Sequence, residues 1–174
     1  MKRINLASLC DGMPGLTSAC GTALAESAAV CLEQGNHSAE VQLQIRGMSV
    51  EGCQLDWQAT SEQQRRCYND LQEATEYGAY GIAILVVNAL TGKIVIERAR
   101  KGPGFDYWVG DADDDLLFSG KARLEVSGIL FGDARKINAR VAQKKNQISP
   151  SNSLGPGLIA VVEFGHPIAH VEVV

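Results

Sequence analysis

The chain has 174 residues, 45% of them apolar and 21% charged, and a net charge of −4. That charge argues against nucleic-acid binding by bulk electrostatics, while a local basic patch stays compatible with it. The most apolar run, residues 81–90, is too short to cross a bilayer, and the N-terminus carries no long apolar segment, so the chain reads as one soluble, cytoplasmic domain over residues 1–174 with no membrane partner.

Cys10, Cys20, Cys31, Cys53 and Cys67 contain no CxxC pair, which excludes the usual zinc spacing and fits reduced structural thiols. Residues 1–15 read as an irregular lead-in. Residues 16–33 are rich in Ala, with Leu24, Ala28 and Leu32 at helical spacing, Thr17 as a cap and Gly35 as a stop. Residues 40–46 alternate strictly, placing Val41, Leu43 and Ile45 on one strand face. A second strand over 50–57 follows the Gly47-Met48-Ser49 turn. A long helix, capped by Thr60 or Ser61, is expected to run to Gly92. Its first half is amphipathic and its second half apolar all round, with Gly78 and Gly81 permitting close packing. The β-branched residues at 82–87 also suit a strand.

Three strands follow in this expectation. The first begins at Ile94, the second covers 105–109 after the Gly102-Pro103-Gly104 turn, and the third covers 122–130. Asp111, Asp113, Asp114 and Asp115 form an acidic loop between the last two, without the Gly and closing Glu of an EF-hand. A basic helix spans 133–147, with Ile137 and Val141 inward and Arg135, Lys136, Arg140, Lys144 and Lys145 along it. Strands at 158–164 and 168–173 form a final hairpin.

Asp106 falls in the second of the three strands and Glu125 in the third. Two carboxylates on adjacent strands can hold Mg²⁺, which polarises a phosphodiester and lowers the pKa of a bound water. Plainer roles exist for each. Asp106 can bond the backbone of the preceding turn, and Glu125 can pair with Arg98, Arg100 or Arg123 on a neighbouring strand.

The order helix, three strands, helix, strand over residues 61–164, with Asp106 and the tripeptide Glu125-Val126-Ser127 on neighbouring strands, resembles the PD-(D/E)XK nuclease superfamily. The resemblance implies an α/β fold: a mixed β-sheet flanked by helices, with a restriction-endonuclease-like core at 61–174 and an N-terminal helix and β-hairpin extension at 1–60. It implies Asp106 and Glu125 as catalytic metal ligands, and Glu73 or Glu76 as an added acid. The lysine of the family motif is replaced by Ser127, which removes a cation from the reacting phosphate. Lys121 and Arg123 fall on the strand face of Glu125, so Lys121 is the candidate catalytic substitute. On these grounds Ser127→Lys is expected to raise turnover.

The basic helix is either a solvated face or a contact for a nucleic-acid backbone through Arg135, Lys136 and Arg140. Together these features predict a weak or degenerate Mg²⁺-dependent nuclease. It would serve as a DNA- or RNA-binding or accessory subunit of a larger complex, with a protein partner or a second copy of itself. The alternative is a non-enzymatic interaction subunit whose acid pair is structural.

Overall fold

The computed structural model describes residues 2–102, 104–112 and 120–174. Asp113, Asp114 and Asp115 of the expected acidic loop lie outside them. The elements are β1 (Lys2–Asn5), α1 (Ser18–Gln34), β2 (Glu40–Gly47), β3 (Glu51–Asp56), α2 (Glu62–Cys67), α3 (Leu71–Thr91), β4 (Ile94–Arg98), β5 (Tyr107–Gly110), β6 (Ala122–Ile129), α4 (Ala134–Ile148), β7 (Gly157–Glu163) and β8 (Ile168–Val173). They build an α/β fold on one eight-stranded mixed sheet, ordered β1-β3-β2-β8-β7-β6-β5-β4. Strands β4, β5 and β6 form an antiparallel meander. The chain then crosses through α4 to β7, which lies parallel to β6.

Two cores flank the sheet. Leu124, Val126, Leu158, Ala160 and Val162 point to one face, beneath α3 and α1. Ile129, Ile159 and Val161 point to the other, beneath Ile137, Val141 and Ile148 of α4. Strand β7 is therefore buried at all seven positions, which is why it reads as a continuous apolar run rather than an alternation. The second half of helix α3 is apolar all round because α1 covers the side that the sheet does not. Gly78 makes this close approach possible, since a Cβ there would sit 2.9 Å from Ala28 Cα. Residues 82–87 are helical despite their β-branching, because burial on several sides outweighs a weak local preference.

Two expectations are corrected. The single helix over 61–92 is two helices, broken at residues 68–70. Ser61 and Gln64 close a capping box on α2. Asp70 then starts α3 by accepting from the Gln72 and Glu73 N–H groups. The N-terminal lead-in is also ordered. Lys2–Asn5 pairs in parallel with β3, and a 3-10 turn over Leu6–Asp11 buries Leu6 and Leu9. Among the described residues no helix is long and apolar enough to cross a membrane.

Candidate functional site

The site begins where β5 leaves β6. The two strands pair only at Ala122, Arg123 and Leu124, so residues 125–129 of β6 have no strand on that side. Asp106, just before β5, takes over the next rung. Its N–H donates to the Leu124 carbonyl at 2.8 Å, and its Oδ2 accepts from the Val126 N–H at 2.8 Å. The turn-binding role considered for Asp106 is thus replaced by a bond to the neighbouring strand. Asp106 Oδ1 accepts from the Tyr80 hydroxyl at 3.1 Å, and the same hydroxyl lies 3.0 Å from Glu76 Oε1. Arg98 lies over the rings of Tyr80 and Tyr107, at 4.6 and 4.5 Å, and its Nη2 is 3.8 Å from Asp106 Oδ1.

Glu125 is 2% exposed and points to the α4 side of the sheet. Its partner is none of the three arginines considered from the sequence. Lys144 Nζ donates to Glu125 Oε1 at 2.5 Å, and Gln147 Nε2 donates to the same oxygen at 2.8 Å. The Asp106 carboxyl lies close enough for its charge to act on Glu125. Burial first, and then the charge of Asp106, push the Glu125 carboxyl up to about 7, with Lys144 pulling the other way.

Helix α4 delivers its cations in a row. Ile137, Val141 and Ile148 are buried against the sheet. Lys136, Arg140 and Lys144 recur every four residues on the adjacent stripe, so all three face β6. Arg140 Nη1 donates to Ser127 Oγ at 2.6 Å. The three cations, with Glu76 and Tyr80 of α3, line a cleft of about 650 Å³ over residues 125–130. Gly128 lies in its floor. A Cβ at that position would come 2.4 Å from the Thr75 carbonyl oxygen, so α3 touches β6 through backbone.

The structure brings together Asp106, Glu125, Lys136 and Arg140 of the expected site residues, and Glu76 with them, whereas Glu73 lies outside the cleft lining. It does not bring in Lys121, whose ammonium lies 4.7 Å from the Trp108 ring centroid and outside the cleft lining. The correction follows from Lys121 preceding the first residue of β6, where strand alternation does not yet apply. Arg135 is exposed and lies off the cleft stripe of α4. Arg123 shares the Glu125 face, but it is fully buried and bonds the C-terminal end of α4. Lys144 and Gln147 are the residues that sequence reasoning missed. The signal for Lys144 was its place one turn beyond Arg140 on the stripe beside Ile137 and Val141.

Among the described residues no group of three or more His, Cys, Asp and Glu side chains is placed to hold a metal ion. Asp106 and Glu125 nevertheless suit Mg²⁺, which is held by one or two carboxylates and keeps waters or phosphate oxygens in its other positions. A bound divalent cation would also offset the mutual repulsion that raises the Glu125 carboxyl. Comparison with known protein families, characterised proteins and solved structures finds no match to this chain.

Proposed function

We propose that the cleft is a Mg²⁺-dependent phosphodiesterase site acting on nucleic acid, in a core of the PD-(D/E)XK type. The observation that carries this reading is the contact of Lys144 Nζ with Glu125 at 2.5 Å, beside Asp106. An acid pair joined to a cation is the set that the chemistry needs, and here α4 supplies the cation that Ser127 does not. The order of elements adds support, because α3, the β4-β5-β6 meander, α4 and parallel β7 follow one another as the resemblance implies.

Bound between Asp106 and Glu125, Mg²⁺ would polarise the phosphodiester and supply a nucleophilic hydroxide near neutral pH. Lys144 places positive charge where the phosphate gains negative charge. Gln147 shares Glu125 Oε1 with Lys144 and so fixes the direction in which that carboxylate points. Arg140 and Lys136 lie one and two turns further along and hold flanking phosphates. The Lys144–Glu125 pair also suits a second reading, an inert ion pair in a non-enzymatic subunit, since the Glu125 carboxylate is already satisfied.

Cleavage of labelled single- and double-stranded DNA and RNA with and without Mg²⁺ separates the two. Asp106→Ala, Glu125→Ala and Lys144→Ala are expected to cost at least about a hundredfold in rate, on the scale of one lost electrostatic contact in a transition state. Lys121→Ala is expected to stay within about twofold. Ser127→Lys is now expected to lower turnover rather than raise it, because it would force a cation against Arg140, which bonds Ser127 Oγ at 2.6 Å. Metal-dependent cleavage that survives loss of both acids, or no cleavage of any substrate, sinks the phosphodiesterase reading.

A further inference from the structure

The cleft does not end at the acid pair. A second cavity of about 490 Å³ shares Glu76, Tyr80, Asp106, Glu125 and Gln147 with it and continues past Arg100 and Lys101. The two form one groove with the acids in its middle. Lys136 and Arg140 stand on one arm, and Arg100 and Lys101 on the other. Among the described residues none of these four cations has a carboxylate partner. Four cations without a carboxylate partner, on either side of Glu76, Asp106 and Glu125, complement a chain of phosphates that continues on both sides of the bond held at the acids.

The shape of the groove narrows the choice of polymer. Glu125 is 2% exposed at the floor between α3 and α4, so a phosphodiester must descend into the cleft to reach it. A cleft of about 650 Å³ has the size that holds one small molecule. It accepts a nucleotide or two of a flexible strand rather than a stiff duplex. Phe131, 53% exposed, follows the cleft-lining Leu130 in sequence and is not itself part of the lining. The Phe131 carbonyl accepts from Lys136 Nζ at 3.0 Å, which ties the backbone of this exposed residue to the first cation of the groove. An unpaired base has a free face to stack on such a ring, whereas bases in a duplex are already stacked and paired.

We propose that the groove binds single-stranded nucleic acid across the acid pair, with phosphates on Lys136 and Arg140 on one side, phosphates on Arg100 and Lys101 on the other, and a base stacked on Phe131. The proposal rests on the phosphodiesterase reading for the chemistry at the acids, but its test does not use cleavage. Fluorescence anisotropy in EDTA compares oligo(dT) and oligo(rU) of about 20 nucleotides, longer than a typical single-module site, with their matched duplexes. The full-length protein is expected to hold one or both single strands at least about tenfold tighter than the duplexes, and the better of the two identifies the sugar. Phe131→Ala is expected to weaken single-strand binding by about five- to tenfold, the scale of one lost base stack, with less than about twofold change on duplex. Arg100→Ala with Lys101→Ala is expected to lower the salt slope by about one to two. Duplex bound as tightly as single strand, or single-strand affinity unchanged in Phe131→Ala, overturns the proposal. Either binding result leaves the phosphodiesterase reading intact. Tight single-strand binding with no cleavage under any metal sinks the phosphodiesterase reading and upholds the strand preference.

Discussion

Glu125 sets how the site responds to pH. Its carboxyl is pushed from 4.5 up to about 7, chiefly by burial and next by Asp106. Between those values the folded protein keeps a proton that the unfolded chain has released. The contribution of this group to stability is therefore fully present below pH 4.5 and is lost as pH rises towards 7. Glu125→Gln keeps the shape and removes the charge. It is expected to match the wild type in thermal unfolding at pH 5 and to exceed it by a few degrees at pH 8. A Gln variant that melts below the wild type at pH 8 would show that Lys144 stabilises the carboxylate more than burial and Asp106 oppose it. Metal binding needs the ionised form, so Mg²⁺-supported activity is expected to rise about tenfold per pH unit below pH 7 and level off above it.

At the scale of elements, the end of α4 matters as much as its cationic face. Arg123 is fully buried, and no described acid pairs with it. Its guanidinium donates to the carbonyls of Ile148 at 2.9 Å and Gly155 at 3.0 Å, to Ser151 Oγ at 2.6 Å and to Asn152 Oδ1 at 3.0 Å. A cation at a helix C-terminus satisfies carbonyls that have no partner within the helix and complements the helix dipole. Lys144 and Gln147 lie within the turn that Arg123 ties down, so it positions them over Glu125. Arg123→Met is expected to lower stability by about 3 kcal/mol, because buried acceptors are orphaned. It is also expected to lower kcat about tenfold with KM little changed, the pattern of a displaced catalytic group rather than a lost binding contact. Arg123→Lys is expected to restore little, since one ammonium cannot reproduce a fork of donors. Denaturant titration beside steady-state kinetics checks both. An Arg123→Met protein with wild-type kcat would mean that α4 is held by its apolar stripe alone.

Which elements were legible in the sequence follows from how local their causes are. Strand β2 was plain because Leu43 and Ile45 alternate with wet residues, and α1 was plain because Thr17 caps a periodic run. The break before α3 was missed although Asp70 is a good cap, since the apolar pattern beyond it continued without a gap. Strand β1 was missed because its four residues, mostly exposed, carry no alternation, and its ladder is with a strand about fifty residues away. The acids at 106 and 125 were legible as a pair, since Glu125 sits in a strand and Asp106 immediately precedes the strand beside it. Lys144 was not, because its place at Glu125 depends on the crossover that lays α4 over β6. Helical spacing puts Lys144 on the stripe of Arg140, but it does not say which strand that stripe meets.

At the scale of the whole molecule, the N-terminal sixty residues are more than an appended extension. Strand β2 pairs with β8 from Gln44↔Ile168 to Gly47↔Val171, so β3 and β1 continue the same sheet outward. Helix α1 buries Leu24, Ala28 and Leu32 with Ala79, Ile82 and Val86 of α3 in one cluster. Without those residues, α3 would present its apolar outer side to water and β8 would become an unpaired edge, an invitation to aggregation. A fragment comprising residues 61–174 contains every group assigned here to catalysis and strand binding, yet it is expected to lack a cooperative thermal transition and to associate at micromolar concentration. Calorimetry and sedimentation of the fragment beside the full chain provide the measurement. A fragment that melts cooperatively as a monomer and retains Mg²⁺-dependent cleavage would make the first sixty residues a separable module. The site's geometry would then depend only on α3, the β4-β5-β6 meander and α4. If the fragment fails as expected, the cleft owes its shape to α1. That helix presses α3 onto the sheet, and α3 in turn holds Tyr80 and Glu76 against Asp106.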